Sequence, residues 1–280
     1  MGSLSDFAES ALLNHIFNST AYTSVANLYV ALATGTLTDT STGASMSEVA
    51  NANGYQRTLI TFGAAAARKV IQSGAVTFPQ ASGAWGTVVD WAIVDTQTYG
   101  AGNILAYGSF TASFAPVSGN TPTIPSGEIQ VQMNASSGAG FVDATVHLLF
   151  NRMFRNQAYT KPATYVGLAT ATIADTAALL SDITEVSTAG TAYARVQVNP
   201  NGGAAPTWTL ASGGALDNVQ AITFPTPTAT WGTITSCFLI DSASGAGNII
   251  GYDNANIQDQ IVQANDTVQF AIGAFDVLIQ

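Results

Sequence analysis

The stretch VTFP at residues 76–79, followed by WGTV at residues 85–88, occurs a second time as ITFP at residues 222–225 and WGTI at residues 231–234. Each copy predicts a strand that a proline ends, a short turn, and a second strand entered from a tryptophan. Proline cannot donate a hydrogen bond to a sheet, so it marks where pairing stops, and the tryptophan offers a large apolar surface for burial beside that corner. The offset is 146 positions for the phenylalanine and for the tryptophan alike. A constant offset indicates an internal repeat.

Further segments recur in the same order. They are LLNHIF (12–17) as LFNRMF (149–154), AYT (21–23) as AYT (158–160), YVALAT (29–34) as YVGLAT (165–170), GYQR (54–57) as AYAR (192–195), and GNILAY (102–107) as GNIIGY (247–252). The offset changes only between segments, as loop insertions require. We align Glu128 with Asp266 and place eight extra residues of the second copy between residues 199 and 214. The chain is predicted to be a tandem duplication, with domains at residues 1–138 and 139–280.

Composition agrees with two globular domains. A chain of 280 residues divides into two of the commonest domain size. Hydrophobic residues make up 47% of the chain, which is enough to form hydrophobic cores. Charged residues make up only 9%, far below the share of about a quarter that is usual in globular proteins. The net charge of −10 is shared between the two halves, so there is no acidic tail. Such a surface repels nucleic acid, and we expect no nucleic-acid partner.

The N-terminus and the single cysteine indicate a protein made in the cytosol. The first residues include no basic region and no long apolar run, so we expect no secretory signal and no membrane partner. Cys237 is the only cysteine, which excludes an internal disulfide. It aligns with Trp91 inside a strand-like run, and a buried, apolar thiol is the simplest interpretation.

Hydrophobic periodicity predicts the elements of each copy. A helix is expected at about residues 6–18, with Asp6 and Glu9 forming its N-terminal cap, and its counterpart begins near Asp143. Their apolar stripes indicate core packing, with partner binding as the alternative. Strands are predicted at 28–33, 55–62, 88–95, 104–107 and 129–133, and again at 165–169, 193–198, 234–241, 249–252 and 268–279, with long loops at 34–53 and 170–191. The fold class is therefore mainly β: two tandem homologous β-sandwich or jelly-roll-like domains, each with a leading α-helix.

Candidate chemistry is sparse. His15 and His147 do not align with each other, and no histidine or cysteine set stands at metal-ligand spacing. No Gly-x-Ser-x-Gly elbow, phosphate loop or dinucleotide fingerprint occurs, although a Ser–His–Asp constellation stays open. Asp90, Asp95 and Asp241 could be site carboxylates, but the last two stand at strand ends, where aspartate favours turns. A calcium loop at residues 253–256 is a weak alternative. We expect no enzyme, no catalytic residue, no cofactor and no metal.

The ordered set of motifs resembles a family of tailed-bacteriophage virion structural proteins. The set comprises the leading helix, LYVALATG (28–35), GYQR (54–57), the VTFP–WGTV corner, GAGNILAYG (100–108) and a closing acid-containing strand (127–129 and 265–267). Members of that family are usually single-copy structural, tail or decoration-type proteins. The resemblance implies a non-enzymatic, multicopy particle component that works with other virion proteins.

We expect the chain to decorate a phage head from outside as a cement protein bridging capsomers. Its partner would be the major capsid protein, and it would form a homo-oligomer such as a trimer. A tail, neck or fibre component is the structural alternative. A carbohydrate-binding module for host adhesion is another, with Tyr55, Trp85, Tyr107 and their counterparts stacking on sugars. A depolymerase is the least favoured.

Overall fold

The computed structural model describes residues 1–18, 20–134, 138–198 and 207–279. The first half (residues 1–138) contains β1 (Ser3–Leu4), α1 (Asp6–Phe17), β2 (Leu28–Ala33), β3 (Thr58–Ile60), β4 (Lys69–Ile71), β5 (Val76–Thr77), β6 (Val88–Val94), β7 (Ile104–Phe114), β8 (Thr123–Ile124) and β9 (Gln130–Gln132). The second half (residues 139–280) contains β10 (Ala139–Phe141), α2 (Asp143–Arg155), β11 (Tyr165–Ala169), a 3-10 turn (Leu180–Asp182), β12 (Val196–Gln197), β13 (Ala215–Asp217), β14 (Ile222–Thr223), β15 (Gly232–Ile234), β16 (Ser236–Ile240), β17 (Ile249–Asp253), β18 (Gln260–Val262), β19 (Gln269–Phe270) and β20 (Asp276–Leu278).

The two halves share one strand topology. Each has a five-stranded antiparallel sheet, in the order β1-β7-β6-β2-β3 in the first half and β10-β17-β16-β11-β12 in the second. The small pairs β4–β9 and β5–β8 of the first half recur as β13–β20 and β14–β19. Because both large sheets and these small pairs match, the predicted fold class of two tandem, mainly β domains with leading helices is confirmed.

The central strand β2 is covered on both of its faces, as its unbroken apolar run predicts. Val30 and Leu32 belong to the main core, together with the helix and the small strand pairs. Ala31 and Ala33 point to the opposite face, where they pack with residues of the long loop such as Leu37. Side chains alternate along a strand, so one run of apolar residues can serve two cores.

The repeated corner that identifies the duplication is a cluster of three aromatic rings. Trp85 packs edge-on against Tyr55 and Phe78, with ring centroids 5.3 and 6.2 Å apart. The rings of the second half are arranged in the same way, at 5.2 and 6.3 Å (Tyr193, Phe224 and Trp231). The indole N–H of Trp85 also donates to the carbonyl of Asn53 at 2.9 Å, which fixes the end of the long loop.

Helix α1 packs against the second half of the chain. The ring of Phe17 lies 5.0 Å from that of Trp208. Asn14 Oδ1 accepts a hydrogen bond from the backbone N–H of Ala211 at 2.9 Å. The apolar stripe of this helix is therefore core packing, and the core it enters is shared with the other half.

Helix α2 makes the reciprocal contacts with the first half. Phe154 lies 5.2 Å from Phe62, and Asn151 Oδ1 accepts from the backbone N–H of Ala65 at 3.1 Å. Phe154, Asn151, Phe62 and Ala65 are the sequence counterparts of Phe17, Asn14, Trp208 and Ala211. Such reciprocity is the mark of a two-fold interface. The chain is arranged as an internal dimer in which each helix packs against its own half and against the other.

Several sequence predictions require correction. Ser5, not Asp6, caps α1 by accepting from the N–H of Ala8. The strands predicted at 55–62 and 193–198 are only three and two residues long, because the loop segments 47–49 and 184–186 occupy the rest of the edges of β2 and β11. The alignment of Glu128 with Asp266 is wrong. Because β9 and β20 occupy matching positions, Glu128 corresponds to Ala274.

Three smaller points concern boundaries and the predicted insertion. The division between residues 138 and 139 stays a prediction, and residues 135–137 beside it lie outside the described residues. The offset rises by eight between Arg195 and Ala215, as expected, but residues 199–206 are likewise outside the described part. Neither helix among the described residues has the length and apolar character needed to span a membrane.

Candidate functional site

The long loop of the first half is held in place by a buried ion pair. Arg57 and Glu48 are bonded through both carboxylate oxygens, each at 2.9 Å. The remaining guanidinium donors reach three backbone carbonyls, those of Gly43, Thr96 and Ala101, at 2.8–3.1 Å. Because all five N–H donors of the arginine are bonded, Arg57 joins the long loop to the β6–β7 hairpin and has no donor left for a ligand.

The second half repeats this arrangement. Arg195 binds both oxygens of Glu185 at 2.7 and 2.8 Å, and it also reaches the carbonyls of Ser242 and Gly245. In each half a tyrosine completes the set: Tyr193 Oη donates to Glu185 at 3.0 Å and accepts from the N–H of Leu168 at 2.8 Å. The GYQR-type motif is therefore structural, and the two glutamates are partners that sequence reasoning missed. Their similar spacing before the tyrosine, seven residues in one half and eight in the other, is the signal that could have found them.

The candidate carboxylates serve the backbone. Asp95 accepts from the N–H and the side-chain amide of Asn103 across the hairpin, both at 2.8 Å. Asp241 makes the same pair of bonds with Asn248. Asp90 is buried and accepts from the N–H of Leu37 at 2.7 Å. These carboxylates stand at separate places in the fold, and each is engaged in holding a loop.

The possible metal ligands and histidines are engaged in the same way. Asp253 accepts from the N–H groups of Ala255 and Asn256, which makes the 253–256 segment a turn closed by its own side chain. His15 lies between the carbonyl of Tyr159 and the N–H of Tyr22, and burial lowers its pKa. Within the described residues, no three His, Cys, Asp or Glu side chains cluster as metal ligands would.

The aromatic rings proposed to stack on sugars are not available for that role. Tyr55 and Trp85 are buried, as are their counterparts Tyr193 and Trp231. Tyr107 is half-buried and donates its hydroxyl to Asp39. Strand-edge aromatics carry large apolar areas that the core needs, so this part of the carbohydrate-binding interpretation is wrong.

Glu9 is a buried carboxylate at the contact between α1 and the second half, close to Gly214. Burial, with Asp39 and Asp6 nearby, raises its pKa from 4.5 to about 7. The folded state therefore binds a proton that the unfolded chain releases. Stability due to this group is present below pH 4.5 and is lost as pH rises to 7.

We therefore expect the free energy of unfolding to fall between pH 5 and pH 8, by about 1–2 kcal/mol through this residue. Glu9→Gln keeps the neutral form and should remove that part of the fall. Urea denaturation of both proteins across this range checks it. An equal slope in wild type and variant would contradict the assignment.

The seam between β1 and β9 is closed in the first half. Gly2 donates its N–H to the carbonyl of Gln130 at 2.8 Å and accepts from the N–H of Gln132 at 3.1 Å. The indole of Trp91 fills the space beneath. A Cβ on Gly2 or Gly108 would come within 2.3 or 2.7 Å of that indole, so glycine is required at both positions.

The same seam is open in the second half. The counterparts of Trp91, Gly2 and Gly108 are Cys237, Ala139 and Asp253, so the small and large side chains have changed places. Within the described residues, no bridge joins Ala139 to β20. A cavity of about 330 Å³ lies there, between β10, β17 and β20. The prediction that Cys237 is buried is confirmed.

Because side-chain size differs between the two seams, substitutions at Gly108 and Trp91 should have coupled effects on stability. Gly108→Ala should lower the free energy of unfolding by about 1–3 kcal/mol, because the added methyl group overlaps the Trp91 ring. In a Trp91→Cys background the overlap with the ring is gone and the close approach to the Cα of Gly2, at 2.9 Å, remains, so the same change should cost less. Thermal or urea denaturation of the four proteins of this cycle measures the coupling. Additive effects would contradict the contact.

One comparison with known proteins gives a match. A family model described as podophage GP4 fiber I protein gp80 matches residues 3–132 and again residues 140–278. The two matched segments fall on the two halves of the duplication. No curated protein matches the chain.

This match corrects the expected role. The description of the family is that of a fibre protein, which contradicts decoration of the capsid exterior as a cement protein. Low charge and paired β domains suit any rigid virion component, so composition could not separate head from fibre. The coarser resemblance, to structural proteins of bacteriophage virions, agrees with the match.

Proposed function

Because the chain belongs to the podophage GP4 fiber I protein gp80 family, we propose that it is a non-enzymatic structural component of a bacteriophage fibre. The observation that carries this proposal is the family match across both halves, at residues 3–132 and 140–278. Because both halves match the same family, the proposal applies to the whole chain and not to one half of it.

The architecture supports a load-bearing building block. Each half holds its long loop through a buried arginine–glutamate pair and an aromatic cluster. The helices tie each half to the other. Loops fixed on a rigid scaffold are suited to contacts with other proteins. The chain is also acidic, so neutral or basic surfaces of neighbouring proteins are complementary to it.

A structural role also agrees with what the polar side chains do. The carboxylates and imidazoles considered as catalytic groups each bond to the backbone or to a neighbouring side chain. Catalysis needs such groups to converge on one reacting atom. We propose that the chain works through contact with other virion proteins and as a homo-oligomer.

The location can be tested on purified particles. A small epitope tag, gold-labelled antibody and electron microscopy should place the label on the fibres. Quantitative mass spectrometry should give a copy number that matches the fibres and falls far below the number of capsid subunits. Label over the whole head surface, with a copy number near that of the capsid protein, would overturn the proposal. Native mass spectrometry of the purified chain tests the oligomeric state.

A further inference from the structure

The edge of β10 carries backbone groups that lack the partners found in the first half. Val142 donates to Ile250 and Asn254 donates to Gly138, which places the N–H and C=O of Ala139 on the opposite side, toward the seam. At the corresponding Gly2, these two groups bond to β9. Among the described residues no partner is found for them at Ala139.

The facing edge of β20 is open in the same way. Asp276 and Leu278 correspond to Gln130 and Gln132, whose backbone groups bond to Gly2 in the first half. Val277 pairs with Leu216 on the inner side, so the groups of its two neighbours point outward to the seam. Unpaired strand edges of this kind are ready to pair with another extended chain.

Between these two edges lies the cavity of about 330 Å³. The apolar part of its wall is largely aromatic and is formed by Phe141, Cys237, Ile257, Phe270 and Phe275. The first half shows what this position accepts, because there the Trp91 indole occupies it and is almost fully buried. An aromatic side chain brought in from outside would have the same surroundings.

The rim of the opening is acidic. Asp253 and Asp276 line it, and Asp217 stands directly opposite Asp276 on the adjacent strand. The chain as a whole carries a net charge of −10, so a second copy is a poor occupant of this site. A segment with basic residues beside its aromatic side chain is complementary to the rim.

We propose that the open seam of the second half binds an extended segment of a different protein. The segment adds a strand along the β10 or β20 edge and inserts one aromatic side chain into the cavity, and its flanking lysines or arginines face the acidic rim. This is recognition by strand addition, in which main-chain bonds supply affinity and a pocket supplies specificity. The inference rests on the proposed function in one respect only, namely that the segment belongs to another virion protein.

The test uses the purified full-length chain and a synthetic peptide, acetyl-Lys-Val-Thr-Trp-Val-Lys-amide, in isothermal titration calorimetry. Binding to wild type is expected, with slowed amide exchange at Ala139 and Leu278. Cys237→Trp fills the cavity as Trp91 does. It should weaken binding by roughly tenfold or more, because the peptide loses its one apolar anchor. Cys237→Ser keeps the cavity and should bind as wild type does. Replacing the peptide's tryptophan by alanine, or its lysines by glutamates, should also weaken binding.

Where Cys237→Trp fails to fold, the peptide with alanine in place of tryptophan takes over its part, and equal binding of the two peptides to wild type would overturn the proposal. No binding to wild type would overturn the proposal, and so would equal binding to wild type and to the filled variant. Self-association of wild type that Cys237→Trp abolishes, with no peptide binding to either protein, would assign the seam to a second copy instead. None of these results depends on where the protein lies in the particle, so they are independent of the localisation test.

Discussion

Replacement of Arg57 by alanine is expected to lower the free energy of unfolding by about 3–5 kcal/mol, as is typical when a buried charge loses its partner. The side chain of Arg57 is fully buried, and that of Glu48 is 3% exposed. The variant leaves Glu48 charged in the interior and frees three carbonyls of two loops. Urea denaturation followed by tryptophan fluorescence measures the loss.

Two related variants serve as controls for this prediction. Arg195→Ala removes the counterpart, whose glutamate is 14% exposed, so we expect a smaller loss. Lys69→Ala removes an equal charge from a half-buried lysine with one hydrogen bond, and about 0.5 kcal/mol is expected. Losses of the same size in all three variants would show that net charge, rather than the buried pair, determines the effect.

Trp208→Ala is expected to destabilise the fold by about 3–5 kcal/mol, the usual range for a buried aromatic residue. The more specific part of this prediction is which helix loses protection from amide exchange. Because Trp208 packs on Phe17, amide exchange should accelerate in α1, which belongs to the other half. Hydrogen exchange with mass spectrometry at about 1 M urea resolves the two helices.

The matched variant is Phe62→Ala, which removes the counterpart of Trp208. Here the faster exchange should appear in α2, through the lost contact with Phe154. If each substitution loosened the helix of its own half and spared the other, the reciprocal packing of the helices would be wrong. The pair of variants therefore tests the internal two-fold arrangement without cutting the chain.

The sequence predicted the duplication, both helices and the central strands because these features depend on local patterns. The runs at Leu28–Ala33 and Tyr165–Ala169 are strands with the predicted bounds, since long apolar runs are covered on both faces. The short strands β1 and β10 were missed, as two or three residues carry no period. The strand pattern fails at Ile272, which is largely exposed in a turn between β19 and β20.

Contacts between distant parts of the chain could not be predicted from local sequence patterns. The GYQR motif was visible, but its bonds to Glu48 and to the hairpin carbonyls depend on how three loops meet. The contact of each helix with the other half likewise leaves no local trace, because an apolar stripe that packs on one half looks like a stripe that packs on both. The alignment of Cys237 with Trp91 was seen, whereas the opening that accompanies it was not.

The internal two-fold arrangement also bears on how a symmetric assembly can acquire an unsymmetric task. In a homodimer any substitution appears on both subunits, so neither can specialise alone. Here the two equivalent units are parts of one polypeptide, and a change in either is inherited independently of the other. One unit can thus keep a tryptophan beside a closed seam while the other has a cysteine at that position and an open seam. Fusion fixes the pairing at one to one and leaves each member free to evolve its own surface.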